Sequence, residues 1–245
     1  MINVLGVIPA RYGSTRLPAK MLAPVNGKPL IEWVWRAAAK ANRLDRLVIA
    51  TDDERIVAAV KQFGGESVMT DSNLPSGTDR VWEAAKTTDA QIIVNIQGDE
   101  PMLQAAMIDS LVEAMQVDPA APMATLRFAM KGSAGYLDPN VVKVVTDAGG
   151  WACYFSRSPV PFYRDAAGTE PVWYKHLGFY AYRRPLLEQF VQWPQSALEL
   201  AEKLEQLRVL ERGVRIKVID SPRDTVAVDT ADDLKRVEQR MSKGD

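Results

Sequence analysis

The sequence predicts an α/β fold: a Rossmann-like, mostly parallel sheet with helices on both faces, carrying an inserted α+β elaboration in its second half. Three observations predict it. Short apolar runs alternate with amphipathic stretches through the first half, as in successive βαβ units. The run Ile92-Ile93-Val94-Asn95-Ile96 is almost continuously apolar, which suits a central strand covered on both faces. From Met123 onward, strand-like runs lie closer together in sequence.

Taken in order, the first-half strands are expected at residues 4–9, 46–51, 67–70 and 91–96. Helical periodicity places helices between and after them at 29–41, 53–63, 78–86 and 105–116. The second half offers strands at 123–130, 141–146, 151–156 and 174–182. One helix then follows, in which Ser196 and Glu199 form a capping box ahead of Leu200, Leu204 and Leu207, with Gly213 as its terminator. A strand at 214–219 and a helix from about Thr230 close the chain. No repeat or linker interrupts it, so residues 1–245 read as a single domain.

Composition limits the function. The 245 residues carry 30 Lys+Arg against 31 Asp+Glu, a net charge of -1, so there is no general attraction for nucleic acid or an anionic membrane. Any phosphate site must be a local basic cluster. The one cysteine, Cys153, cannot form an internal disulfide, and no Cys/His cluster has the make-up of a structural zinc site. The start of the chain lacks the basic flank and apolar length of a signal peptide. A cytoplasmic protein is expected.

The most informative segment runs from Ile8 to Lys20, directly after the first strand. Ligands of open α/β sheets bind beyond the carboxyl ends of the strands, and this loop brings backbone N–H groups with Arg11, Arg16 and Lys20 to that edge. Such a set suits a polyphosphate. Neither GxxxxGK[ST] nor GxGxxG occurs in the loop, which disfavours a P-loop kinase or a dinucleotide dehydrogenase. Basic residues alone would also fit a solvated loop, but Gln97-Gly98-Asp99 follows the apolar fourth strand and puts a carboxylate at the same edge. Asp99 can hold a hard cation through oxygen, and Mg²⁺ is expected between it and the polyphosphate.

Other positions admit two readings. Asp229 is either the N-cap of the last helix or a second metal carboxylate. Ser76 and Thr78 either cap a helix or present hydroxyl and N–H groups to a nucleotide base. In residues 174–182, strand alternation puts Tyr174, His176, Gly178, Tyr180 and Tyr182 on one face and Leu177, Phe179 and Ala181 on the other. One face is then core and the other could line a polyol site.

At these residues the sequence resembles the sugar-activating nucleotidyltransferases. The shared motifs include IPARYGSTRLPAK from Ile8, NGKPLI from Asn26, ATDDERI from Ala50, SGTDR from Ser76, NIQGDEP from Asn95 and PNVVKVV from Pro139. They continue with YFSRSPVP from Tyr154, KHLGFYAY from Lys175, LEQLRVLERG from Leu204 and VDTADDL from Val228. The later motifs are most similar to the branch that uses the acid sugar Kdo (3-deoxy-D-manno-octulosonate). The resemblance implies Mg²⁺-dependent transfer of CMP from CTP to Kdo, releasing pyrophosphate, in the supply of Kdo to lipopolysaccharide. It also implies a homodimer.

Position by position, it implies that Arg11 and Lys20 hold the triphosphate, with Arg16 nearby, while Ser14, Ser76 and Thr78 help to hold the cytidine. Asp99 and Asp229 would ligate the metal, and Gln97 would sit beside the reacting groups. Arg157, His176, Tyr180, Glu205 and Gln206 would form the sugar-acid site. Two departures stand out: Ala19 occupies a position where many relatives carry glycine, and Leu74-Pro75 replaces a pair that is often polar.

Overall fold

The computed structural model describes residues 3–14, 17–133, 135–164 and 171–242. The chain packs as two compact units, Met1–Val112 with Thr225–Asp245, and Glu113–Asp224.

The first unit opens with β1 (Val4–Ala10), followed by a single 3-10 turn (Lys20–Leu22) and the short pair β2 (Pro24–Val25) and β3 (Lys28–Pro29). Then come α1 (Leu30–Ala38), β4 (Arg46–Thr51), α2 (Glu54–Gln62) and β5 (Ser67–Met69). After these lie α3 (Gly77–Ala85), β6 (Ile92–Asn95) and α4 (Ala105–Val117), whose last residues, from Glu113, belong to the second unit. β1 pairs in parallel with both β4 and β6, and β4 with β5, giving the order β6-β1-β4-β5. This is the parallel α/β sheet expected from the sequence.

Local chemistry fixes the helix starts. Asp53 accepts the Arg55 amide at the head of α2, and Ser76 accepts the amides of Thr78 and Asp79 at the head of α3. In α1 the residues Leu30, Ile31, Val34 and Ala38 are buried at helical spacing, as are Ile56 and Val60 in α2. The two-residue strands β2 and β3 meet at Asn26 and Gly27, both at positive φ, as a tight hairpin requires.

In the second unit, β7 (Met123–Lys131), β8 (Lys143–Thr146), β9 (Ala152–Ser156) and β10 (Val172–Arg183) follow one another. α5 (Arg184–Phe190), α6 (Ala197–Glu202), α7 (Leu207–Glu211) and β11 (Lys217–Asp220) complete it. β10 runs antiparallel to β7 and β8, β8 antiparallel to β9, and β11 parallel to β7. The register of β10 on β7 jumps from Leu177↔Leu126 to Tyr180↔Thr125, so Gly178 and Phe179 bulge out of the ladder.

The capping box at Ser196 and Glu199 forms as the sequence predicts, but the single helix expected to run on to Gly213 is two. Lys203 adopts the left-handed conformation at φ 55 and ends α6, so Glu205 and Gln206 fall in the turn before α7. Gly213, at φ 71, follows α7 as expected.

The chain returns to the first unit with α8 (Ala231–Ser242), whose Val237 packs with Val25, Leu30 and Val228. Its cap is reciprocal: the Asp233 amide donates to Thr230 Oγ1, and the Thr230 amide donates to Asp233 Oδ2.

Candidate active site

In the first unit, the basic loop after β1 is fastened from below. The Tyr12 amide donates to Asp52 Oδ1 at 3.2 Å, and Arg80 Nη2 donates to Asp52 Oδ2 at 2.9 Å. Arg80 also donates to Thr70 Oγ1. The Arg55 guanidinium lies 3.4 Å from the centre of the Tyr12 ring while pairing with Asp53. The loop residues Arg11, Tyr12 and Gly13, with Asp52, Leu74 and Arg80, border a cleft of about 350 Å³. Arg11 is exposed there and Ser14 half-buried, while Arg16 lies outside the described residues.

Farther along the loop, Lys20 is buried, and its ammonium donates to Asp99 Oδ2 at 2.7 Å and Asp229 Oδ1 at 3.2 Å. Three features hold this cluster. Ala19 takes the left-handed conformation, φ 53, to start the 3-10 turn that carries Lys20. Gly98 passes so close to β1 that a Cβ would lie 2.9 Å from the Pro9 carbonyl. The Asp99 carbonyl accepts the Val228 amide at 2.9 Å, tying the Asp229 segment to the end of β6.

The α8 cap removes one of the two readings of Asp229, that of the N-cap. Thr230 and Asp233 make the reciprocal cap, and the Asp229 carboxylate turns to Lys20. Among the described residues, Asp99 and Asp229 bring hard carboxylate oxygen donors to the same ammonium. Among the described residues no third carboxylate, histidine or thiol joins them. That donor set fits Mg²⁺, which typically takes one or two carboxylates and completes its shell with substrate phosphate and water.

The other first-unit positions sit at the same strand ends. Gln97 is half-buried between β6 and Gly98. Ser76 acts as a cap: its hydroxyl accepts two amides and gives its proton to Asp79 Oδ2 at 2.7 Å. Thr78 is buried in the first turn of α3.

The second unit gathers the residues of the sugar-acid group. Arg157 is anchored by main chain, Nε donating to the Glu202 carbonyl at 2.7 Å and Nη1 to the Pro139 carbonyl at 2.9 Å. Its own carbonyl accepts from Lys143, a buried lysine whose ammonium also reaches the carbonyls of Asp138 and Val141. Desolvation holds that ammonium below the usual lysine range.

His176 and Tyr180 stack along β10 with ring centres 5.6 Å apart, and Tyr182 continues the row 5.9 Å farther on. Strand parity therefore survives the bulge, because two residues are inserted. Tyr182 is nonetheless buried, so only part of the expected polyol face is open. Burial pulls the His176 imidazole down to about 3 and pushes the Tyr180 phenol up, the latter helped by the nearby charge of Glu205. Both rings are neutral at pH 7. Gln206 is 4 % exposed, and its Nε2 is buried with no hydrogen-bond partner. A buried amide donor left unsatisfied awaits a ligand or water.

The loop signals alone did not mark Asp52, Arg80 or Lys143. Asp52 directly follows β4 and so lies at the ligand edge of the sheet, which is the signal that could have found it.

A basic loop at the end of a parallel strand, with a carboxylate pair beside it, suits a nucleotidyltransferase. Residues 5–216 match the model of the cytidylyltransferase family, across both units, and the chain belongs to that family. It is 52% identical over 239 residues to the 3-deoxy-manno-octulosonate cytidylyltransferase of Syntrophobacter fumaroxidans, covering 96% of each chain. It is 46% identical over 252 residues to the protein of that name from Trichlorobacter lovleyi, covering 99% of this chain and 100% of the other. It aligns with the structure of CMP:2-keto-3-deoxy-manno-octonic acid synthetase complexed with CTP at a TM-score of 0.93 and 42% identity, over 99% of both chains. A cytidylyltransferase from Leptospira borgpetersenii, at 17% identity and a TM-score of 0.68, shares the fold, covering 99% of this chain and 88% of the other.

Proposed function

We propose that the protein transfers CMP from CTP to the anomeric hydroxyl of Kdo, releasing pyrophosphate and forming CMP-Kdo for lipopolysaccharide synthesis. The observation that carries the proposal is the Lys20–Asp99–Asp229 cluster beside a basic loop, in a chain 52% identical to a named 3-deoxy-manno-octulosonate cytidylyltransferase. The sugar oxygen forms a bond to the α-phosphorus, the bond from that phosphorus to the β-phosphate oxygen breaks, and the hydroxyl proton is released to solvent. No dedicated protein base is required.

The roles follow from the chemistry of each residue. Arg11 and Lys20 bind the triphosphate and stabilise the charge that grows on pyrophosphate, with Arg16 assigned beside them. Ser14 and the α3 N-terminus at Ser76 and Thr78 bind the cytidine, Ser76 through the helix start it caps. Gln97 serves beside the reacting groups. Asp99 and Asp229 would hold Mg²⁺, which when bound neutralises phosphate oxygens and makes a sugar hydroxyl easier to deprotonate. Arg157 binds the Kdo carboxylate with the N–H groups not spent on main chain. His176, Tyr180, Glu205 and Gln206 select the sugar hydroxyls. Tyr180 keeps its proton and is a donor, while Gln206 offers the unpartnered Nε2.

The proposal includes a cytoplasmic homodimer. Cys153 is free, and among the described residues no helix is long and apolar enough to cross a membrane. Sedimentation of the purified protein tests the dimer. Turnover of CTP and Kdo, set against turnover with other acid sugars, tests the reaction.

A further inference from the structure

His176 is the one histidine in the sequence, and its environment is unusual in a way the reaction alone does not explain. Its Nε2 lies 3.0 Å from Oγ1 of Thr125, a fully buried residue of β7. The same Oγ1 lies 2.8 Å from the Phe179 carbonyl and 3.3 Å from the Leu177 carbonyl. The Leu177 carbonyl precedes the β10 bulge and the Phe179 carbonyl lies in it, where the register on β7 jumps. One hydroxyl therefore serves two main-chain carbonyls and one imidazole nitrogen.

The proton count decides how it does so. A threonine hydroxyl has one proton and two lone pairs, and a carbonyl oxygen only accepts. The proton goes to a carbonyl, the nearer being that of Phe179. Only lone pairs are then left for Nε2, so Nε2 must carry a hydrogen and donate it. A neutral imidazole has one N–H, so Nδ1 is a bare acceptor. The opposite tautomer would draw the hydroxyl proton to Nε2 and leave both bulge carbonyls without it.

The remaining surroundings do not offset this. The Phe155 ring stands edge-on to His176 at 4.8 Å and the Tyr180 ring at 5.6 Å, and among the described residues Nδ1 has no hydrogen-bond partner. We propose that Thr125 is a positioning residue that locks His176 as the neutral Nε2–H tautomer, so that Nδ1 accepts a hydrogen bond from a hydroxyl of the acid sugar. The sugar half rests on the function proposed above; the tautomer half does not. The strong burial of the ring supports its neutrality.

A lone histidine makes the test direct. Protein labelled with ¹⁵N-histidine gives one pair of ring nitrogens, and their shifts report which is protonated. At pH 7.5 the wild type is expected to show a protonated Nε2 and a bare Nδ1, as is Thr125→Ser, which keeps the hydroxyl. Thr125→Val, which loses it, is expected to show the two tautomers exchanging. It should also raise the KM for Kdo about tenfold, with kcat and the KM for CTP little changed, and Thr125→Ser should restore the wild-type KM.

A bare Nε2 in the wild type, or an unchanged tautomer in folded Thr125→Val, overturns the lock. If Thr125→Val does not fold, the wild-type and Thr125→Ser spectra still decide it. An unchanged KM for Kdo in Thr125→Val overturns the sugar contact while leaving the reaction intact. Absence of Kdo turnover in the wild type is a separate failure, that of the function itself, and leaves the spectra to decide the tautomer.

Discussion

The Lys20 ammonium donates to the Asp99 carboxylate across 2.7 Å, joining two loops 79 residues apart in sequence. The pair holds the basic loop after β1 against the carboxylates of Asp99 and Asp229. Asp99→Asn keeps an acceptor for Lys20 and leaves the Asp99 carbonyl bonded to Val228, so the fold should hold. Turnover should fall by about 10²–10³-fold, the usual cost of one electrostatic stabiliser. A steady-state assay with Mg²⁺ beside a thermal melt checks this. Near-normal turnover would remove Asp99 from the chemistry.

Arg157 spends donors on the carbonyls of Glu202 and Pro139, which aims a planar fork that lysine cannot copy. Arg157→Lys should raise the KM for Kdo by about 10–100-fold, the range for losing a hydrogen bond to a charged group. The KM for CTP should stay within twofold of wild type, about the scatter expected when no contact is lost. An unchanged sugar KM would show that Arg157 shapes the loop without binding the carboxylate.

Glu199 and Arg208 form a buried two-point ion pair, at 2.7 and 2.5 Å, that fastens α6 to α7 on either side of Glu205 and Gln206. Glu199→Gln leaves the buried arginine cation without its counter-charge, and should cost about 3–5 kcal/mol in urea unfolding at pH 7. Burial raises the Glu199 pKa, but the bonds from Arg208 and the Ser196 amide outweigh it and hold the carboxyl below its usual 4.5. A lowered folded value means this stabilisation is present above 4.5 and lost as pH falls through the folded value. The difference between variant and wild type should therefore narrow in acid.

His176 carries the opposite charge type but the same sign of pH dependence. Its folded value of about 3 lies below the unfolded 6.5, so the unfolded chain binds the extra proton between them. Stability should be full above pH 6.5 and fall by about 2 kcal/mol between pH 7.5 and 5, a contribution that His176→Gln removes. The ring signals should show no titration near pH 6.5. A midpoint there would mean that the imidazole is open to solvent.

The parallel sheet, its helices and most strand ends were legible in the sequence because apolar periodicity and strand-end motifs are local signals. The resemblance of motifs added the grouping of site residues, which spacing alone could not supply. Three features stayed hidden for physical reasons. The hairpin of β2 and β3 is only two residues per strand, too short for alternation to register. The break between α6 and α7 depends on Lys203 at φ 55, where nothing in the residue type demands the left-handed state. At Asp229 local rules favoured a cap, and only tertiary structure shows that Thr230 and Asp233 take that role. Ala19 holds φ 53, a left-handed conformation that glycine would adopt at less cost.

The central claim is tested most directly by pyrophosphate release from CTP and Mg²⁺ with Kdo, 8-amino-Kdo or N-acetylneuraminate in parallel, with the product weighed by mass spectrometry. The account predicts rapid release with Kdo and a product of the mass of CMP-Kdo. Preference for another acid sugar would contradict the assigned substrate, and CTP binding with no pyrophosphate from any of them would contradict the transferase reaction itself.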